Sequence, residues 1–245
     1  MHKLKQWYQD LNLQSKFTLV LLLIVSIPAI AIIFFFYGKA YDMVVSYTIR
    51  QEQDRSAETA PLIEESIQKV LDVSEEISSL DFYQTLFKNA LTESFTDLAD
   101  SPDAASFSRK VDQLIAGTPV TNVKIYMEVP KDSPSDINAL FDKEDLKDTF
   151  LSLDQVRGTY WYGIFRGSRV SQLFCPSFYL GTKEQKAYGD QAYITHASVI
   201  YKNGTYDAYM AVYYSGHDFQ QILSGNLTLD GSVSYIMNER NNLVS

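Results

Sequence analysis

Between Phe17 and Tyr37 the chain runs for 21 residues without a charged side chain. A bilayer core of about 30 Å is crossed by ~20 apolar residues in a helix, so this stretch is long enough to span. The basic residues before it, Lys3, Lys5 and Lys16, outnumber the one acid, Asp10. On the far side Lys39, Arg50 and Arg55 mix with Asp42, Glu52, Asp54 and Glu58. Positive charge collects on the cytoplasmic side, which predicts residues 1–16 inside and the remainder extracellular, at a cell membrane. A cleaved secretory signal fits less well. Its apolar core is usually ~7–15 residues and ends at a small-residue site. Here Ala29-Ile30-Ala31 lies inside the run and is followed by Ile32-Ile33-Phe34-Phe35-Phe36. Pro28 is compatible with a span, because neighbouring groups can satisfy the carbonyl it frees.

The part beyond residue 16 carries 18 basic and 29 acidic residues, a net charge of about −11. Such a surface repels polyanions and excludes nucleic acid as a partner. The single Cys175 cannot form an intrachain disulfide and has no Cys or His cluster around it, so neither a zinc site nor any other metal or cofactor is expected. Some 200 residues bury an adequate core without such staples. A cysteine-poor exterior is ordinary for a Gram-positive bacterium, where the sequons at Asn203 and Asn226 have no meaning.

After the run, Ile63, Ile67, Val70, Ser74 and Ile77 alternate at four- and three-residue steps, with Leu71 and Leu80 widening the stripe. Glu64, Glu65, Gln68, Lys69, Asp72, Glu75 and Glu76 lie between them. This is one amphipathic helix, with Pro61 as a bend. Its stripe either packs on its own domain or also pairs with a second subunit as the stalk of a homodimer. Further helices are expected at Asp81–Leu91 and Ser106–Ala116, the second with Ser101-Pro102-Asp103 as start and Gly117 as stop. Val120–Met127, Tyr160–Phe165, Val170–Phe174, Gln191–Tyr201, Thr205–Tyr214 and Ser232–Met237 read as strands. Asp142–Phe150 reads as a charged helix or turn, and His217–Leu223 as a short helix.

Asn203-Gly204 between two alternating runs predicts a two-residue hairpin turn. That turn opposes Tyr201 to Tyr206 and sets Val199, Ala197, Thr195 and Tyr193 against Ala208, Met210, Val212 and Tyr214 as the core face. Ile200, Ser198, His196 and Ile194 then oppose Asp207, Tyr209, Ala211 and Tyr213. This second face mixes an apolar floor with hydroxyl, imidazole and carboxylate groups, the composition of a small-molecule site, though a solvated sheet surface has it too.

This order of parts resembles the start of a Gram-positive sensor histidine kinase of the YesM type, whose outer region is a double Cache domain. The residues that carry the resemblance are Leu13-Gln14-Ser15-Lys16-Phe17 leading into the apolar run with Pro28, then Trp161-Tyr162, the hairpin Tyr193–Tyr214 and Phe219-Gln220-Gln221-Ile222-Leu223. Val233–Ser245 resembles the opening hairpin of a membrane-proximal subdomain. The resemblance implies an α+β fold in which a transmembrane helix continues into a long outer helix packed on an antiparallel, PAS-like sheet. It divides the chain into a leader (1–16), a transmembrane helix (17–37), a stalk (38–80), a membrane-distal sensor domain (81–230) and the start of a truncated proximal subdomain (231–245). It implies an extracellular ligand-sensing input to two-component signal transduction. The partners are membrane lipid along Phe17–Tyr37, a second copy, and a small molecule or an extracytoplasmic binding protein. A chemoreceptor with the same outer architecture, or a single-span surface binding protein, are the alternatives.

Some Cache domains hold amino acids with an Arg-x-Trp-Tyr cluster and a strand-terminal Asp. Here Arg157 stands four residues before Trp161 and the strand ends Tyr213-Tyr214-Ser215, so that specificity does not carry over. The expected pocket residues are Arg157, Tyr160, Trp161 and Tyr162, since aromatic walls and a guanidinium hold polar ligands, with His196, Asp207, Tyr209 and Tyr213 from the hairpin. No nucleotide loop, nucleophile elbow or metal-binding motif is present, so no catalysis is expected of this stretch. A receptor that ended at Ser245 would have no route inward, so the chain is expected to be a fragment of a longer protein.

Overall fold

The computed structural model describes residues 12–129, 135–201 and 204–225. The chain divides into two units, with the boundary between Ala57 and Glu58. The first consists of the N-terminal part of helix α1 (Leu13–Ser79), which runs without interruption through Pro28 and Pro61. Among the described residues α1 is the one helix long and apolar enough to cross a membrane, and no part of its most apolar window is covered by protein.

The second unit is α+β. Helices α2 (Asp81–Phe87), α3 (Phe95–Ala99) and α4 (Pro102–Ile115) precede strand β1 (Val120–Met127). The start signal at residue 101 works as expected: the Ser101 hydroxyl accepts the amide of Ala104, with Pro102 at the first helical position. Helix α5 (Ala139–Asp142) and strand β2 (Phe150–Ser152) follow. Then come α6 (Tyr160–Gly167), β3 (Gln172–Cys175), α7 (Thr182–Ala187), β4 (Gln191–Tyr201), β5 (Gly204–Tyr214) and α8 (Gly216–Gly225). The sheet order is β2-β1-β5-β4-β3.

Four expectations need correction. The sheet is mixed rather than antiparallel, because β2 pairs in parallel with β1 through Ile125 and Phe150. A three-residue strand inside a charged segment has no periodicity to betray it. Tyr160–Phe165 is helical, not extended. As a helix it places Trp161, Tyr162 and Phe165 on one buried face and leaves Gly163 and Arg166 exposed, so burial overrides the strand preference of aromatic residues. The hairpin register differs by two: Tyr201 pairs with Gly204, His196 with Tyr209 and Ala197 with Ala208. Gly204 is a strand residue. An even shift preserves side-chain alternation, so membership of the two faces is as expected. The expected strand Ser232–Met237, the hairpin Val233–Ser245 and the Asn203 side of the turn lie outside the described residues.

The fourth correction concerns burial. Both faces of the sheet are covered. On one, Val123, Ile125, Met127, Met210, Val212 and Tyr214 pack against Val70, Val73 and Ile77 of α1 and against Phe82, Phe95 and Phe107. The stripe of α1 is thus covered by its own domain. On the other face Tyr126, Ile194, Tyr209, Ala211 and Tyr213 meet Trp161, Tyr162 and Phe165 of α6 and Leu153, Tyr179 and Leu180. The face read as a small-molecule site or a solvated sheet surface is a second core along much of its length, with His196, Ile200, Thr205 and Asp207 exposed toward the turn end of the hairpin.

Candidate functional site

The second core is organised around Glu184, a carboxylate only 5% exposed. It sits in the first turn of α7 and reaches back to the amide of Gly181, which donates to Oε2 at 2.8 Å. The fully buried Trp161 indole donates to the carboxylate at 3.3 Å. The Tyr213 hydroxyl donates to Oε1 at 2.5 Å and lies 2.8 Å from the Tyr126 hydroxyl. Three donors converging on one carboxylate satisfy a group that would otherwise oppose burial strongly. Burial, the proximity of Tyr126 and the negative charge of Glu184 push the Tyr213 phenol far up, and burial does the same to Tyr126. The Cys175 thiol is also pushed up, by burial first and Glu184 second. Trp161 and Tyr213 are therefore structural in this arrangement, held by the core rather than turned to a ligand.

Three of the expected site residues do come together. Across the β4–β5 pair the His196 imidazole Nε2 lies 3.1 Å from Asp207 Oδ1, both side chains being exposed. The Tyr209 ring lies beneath, its centroid 5.2 Å from His196, 5.1 Å from Phe165 and 5.6 Å from Trp161. Tyr209 is 5% exposed. Burial, then the nearby Asp207 carboxylate, pushes its phenol up to about 12, so it remains a hydroxyl at neutral pH. These residues and the end of α6 enclose an open cleft of about 370 Å³, lined by Arg166, Ser168, Arg169, His196, Asp207 and Tyr209. Its volume lies in the range of small-ligand sites.

The other expected residues lie elsewhere. Tyr162 packs edge-on against Tyr209 at 5.9 Å without lining the cleft. Tyr160 is 62% exposed and packs at a tilt against Tyr179, ring centroids 4.8 Å apart. Arg157 pairs with Asp154 at 2.5 Å and with Glu128 at 3.7 Å. Arg166 and Arg169, absent from the expected set, become visible only once Tyr160–Gly167 is read as a helix whose last turn ends at the cleft. Glu184 had a signal, three residues after the glycine it caps, in a stretch assigned no element.

A larger hollow of about 820 Å³ lies between α4, β1 and the segment after α5. Several of its polar groups are engaged with one another. Buried Lys124 donates to the Asp148 carbonyl and sits 4.8 Å over the Tyr188 ring. Ser108 bonds Thr149 and the Asp145 carbonyl, and Lys147 pairs with Glu144 at 2.7 Å. Among the described residues no cluster of three or more His, Cys, Asp or Glu side chains is arranged to hold a metal. Comparison with known protein families, with characterised proteins and with solved structures finds no match for this chain.

Proposed function

We propose that the chain is the extracellular ligand-sensing input region of a membrane-bound bacterial sensor histidine kinase, of double Cache type, and takes no part in chemistry itself. The observation that carries the reading is the cleft at the edge of the second core, where a floor of packed aromatic rings meets exposed polar and charged side chains. It belongs to an α+β domain that follows a helix apolar enough to span a bilayer. The N-terminus is cytoplasmic in this reading, the domain faces outward, and ligand occupancy shifts the membrane helices of a dimer. Such coupling needs two sites and two states of different ligand affinity.

The stripe Ile63–Ile77 is covered within its own domain, so the dimer contact is assigned instead to the exposed apolar residues of α1 nearer the membrane, among them Tyr41, Val44 and Tyr47. Single cysteines along that segment are expected to crosslink with helical periodicity, and an aperiodic result removes the dimer.

Reading the gene past the codon for Ser245 tests the function. A second apolar span followed by a kinase core is the expected result. A long heptad hairpin would transfer the domain to a chemoreceptor, and a stop codon would overturn the signalling role.

A further inference from the structure

Four cations of the outer domain form ion pairs among the described residues, while Lys88, Arg109, Lys110, Lys183 and Lys186 form none. Arg157 is held by Asp154 and Glu128, Lys69 by Glu65, Lys143 by Asp100 and Lys147 by Glu144. Arg166 and Arg169, both exposed, form no ion pair among the described residues, and both line the same cleft. Beyond residue 16 the chain has eleven more acidic than basic residues, and what sets Arg166 and Arg169 apart is that both line one small cleft that holds a single acid. Arg166 lies in the last turn of α6, where a cation also favours the helix dipole. Arg169 lies past the helix end, in the connection to β3, and has no such role. The cleft's one acid, Asp207, already has His196 at its Oδ1. Its lining therefore carries one net positive charge with a neutral imidazole and two with an imidazolium.

We propose that this cleft recognises its ligand through an oxyanion group, a carboxylate or a phosphate, held by Arg166 and Arg169 above the Tyr209 ring. The inference rests on the sensor reading and names the ligand class of the same site. A guanidinium presents paired N–H donors that match the two oxygens of either group, and it stays charged at every working pH. Asp207, on the other strand of the hairpin, faces the part of the ligand that is not anionic and selects a hydroxyl or amine there. A bare anion gains nothing from Asp207, which makes the acid a discriminator.

The test is calorimetric titration of the full chain in lipid nanodiscs at low ionic strength, with inorganic phosphate and separately with succinate. At least one anion is expected to bind in the millimolar range or tighter. Binding of phosphate alone assigns a phosphate group, and binding of succinate alone a carboxylate. In the double variant R166Q/R169Q that affinity is expected to fall at least tenfold, with the thermal midpoint lowered by no more than a few degrees, because both side chains are exposed and only the contribution of Arg166 to the helix end is lost. Asp207→Asn is expected to hold or strengthen affinity for the bare anion. Absence of binding by both anions overturns the proposal, as does binding that the double variant leaves intact. Either result leaves the sensor reading to the downstream gene sequence. Conversely, a stop codon after Ser245 would overturn signalling while leaving the anion titration standing.

Discussion

Replacing Glu184 by alanine removes the acceptor for the Trp161 indole N–H, the Tyr213 hydroxyl and the Gly181 amide together. Gly181 is partly exposed and can turn to water, so its loss is small. The other two donors are buried. Tyr213 can redirect its proton to Tyr126, but the Tyr126 proton is then the one without a partner, so two buried donors remain orphaned whichever way the hydroxyls turn. At about 1–3 kcal/mol for each unsatisfied buried donor, the variant should lose about 4 kcal/mol. Glu184→Gln keeps one oxygen for Tyr213 while its amide opposes the Gly181 N–H, and should lose about half as much. Urea unfolding of the full chain in micelles, followed by Trp161 fluorescence, reads this directly. With a slope of roughly 2 kcal/mol per molar the alanine midpoint falls by about 2 M. A Glu184→Ala midpoint within 0.25 M of wild type (about 0.5 kcal/mol on that slope) would refute the carboxylate's role as the organiser of the second core.

Three further outcomes follow from the same packing. Tyr209, Tyr213, Tyr126 and Tyr214 all have phenols raised on folding, chiefly by burial. Below pH 10 both folded and unfolded chains keep these protons. Above it only the unfolded chain releases them, so stability should fall from pH 10 through about 12, read as a falling urea midpoint. Gly189 has φ +155°, and a Cβ there would lie 2.8 Å from Thr121 Oγ1 and 3.0 Å from the Tyr214 carbonyl oxygen. Gly189→Ala should lower stability by about 2–3 kcal/mol in the same urea assay. Tyr209→Ala empties a ring-lined space and should cost about 3–5 kcal/mol, whereas His196→Ala, on the exposed rim, should change the thermal midpoint by less than a degree or two.

The strands β1, β4 and β5 are legible in the sequence because each is a long run of β-branched and aromatic residues bounded by turn residues, and helix α4 because Ser101-Pro102 marks its start. The face of the hairpin holding His196, Asp207 and Tyr209 is legible for the same reason: alternation fixes faces even when register is misjudged. The pocket around them is not. It depends on α6, whose run Tyr160-Trp161-Tyr162 has the composition of a strand and becomes a helix through burial against Tyr209. Misreading that one element hides Arg166 and Arg169 and turns Trp161 and Tyr213 into apparent ligand contacts. Their actual partner, Glu184, comes from a short helix with no apolar periodicity of its own.

The position of β1 beside β5 also governs the order in which the domain can assemble. Val120 pairs with Tyr214, and β2, α6, β3, α7 and β4 all lie between them in the chain. Closing so long a loop precedes any gain from the pairing, and folds dominated by such distant contacts are slow to form. The β4–β5 hairpin, joined locally, can form early. Synthesis proceeds from the N-terminus, so Val70, Val73 and Ile77 emerge long before the strand that covers them. Until Tyr214 has left the ribosome the central layer lacks its middle strand, and the nascent domain carries an uncovered apolar helix face, a state open to aggregation and to chaperone capture.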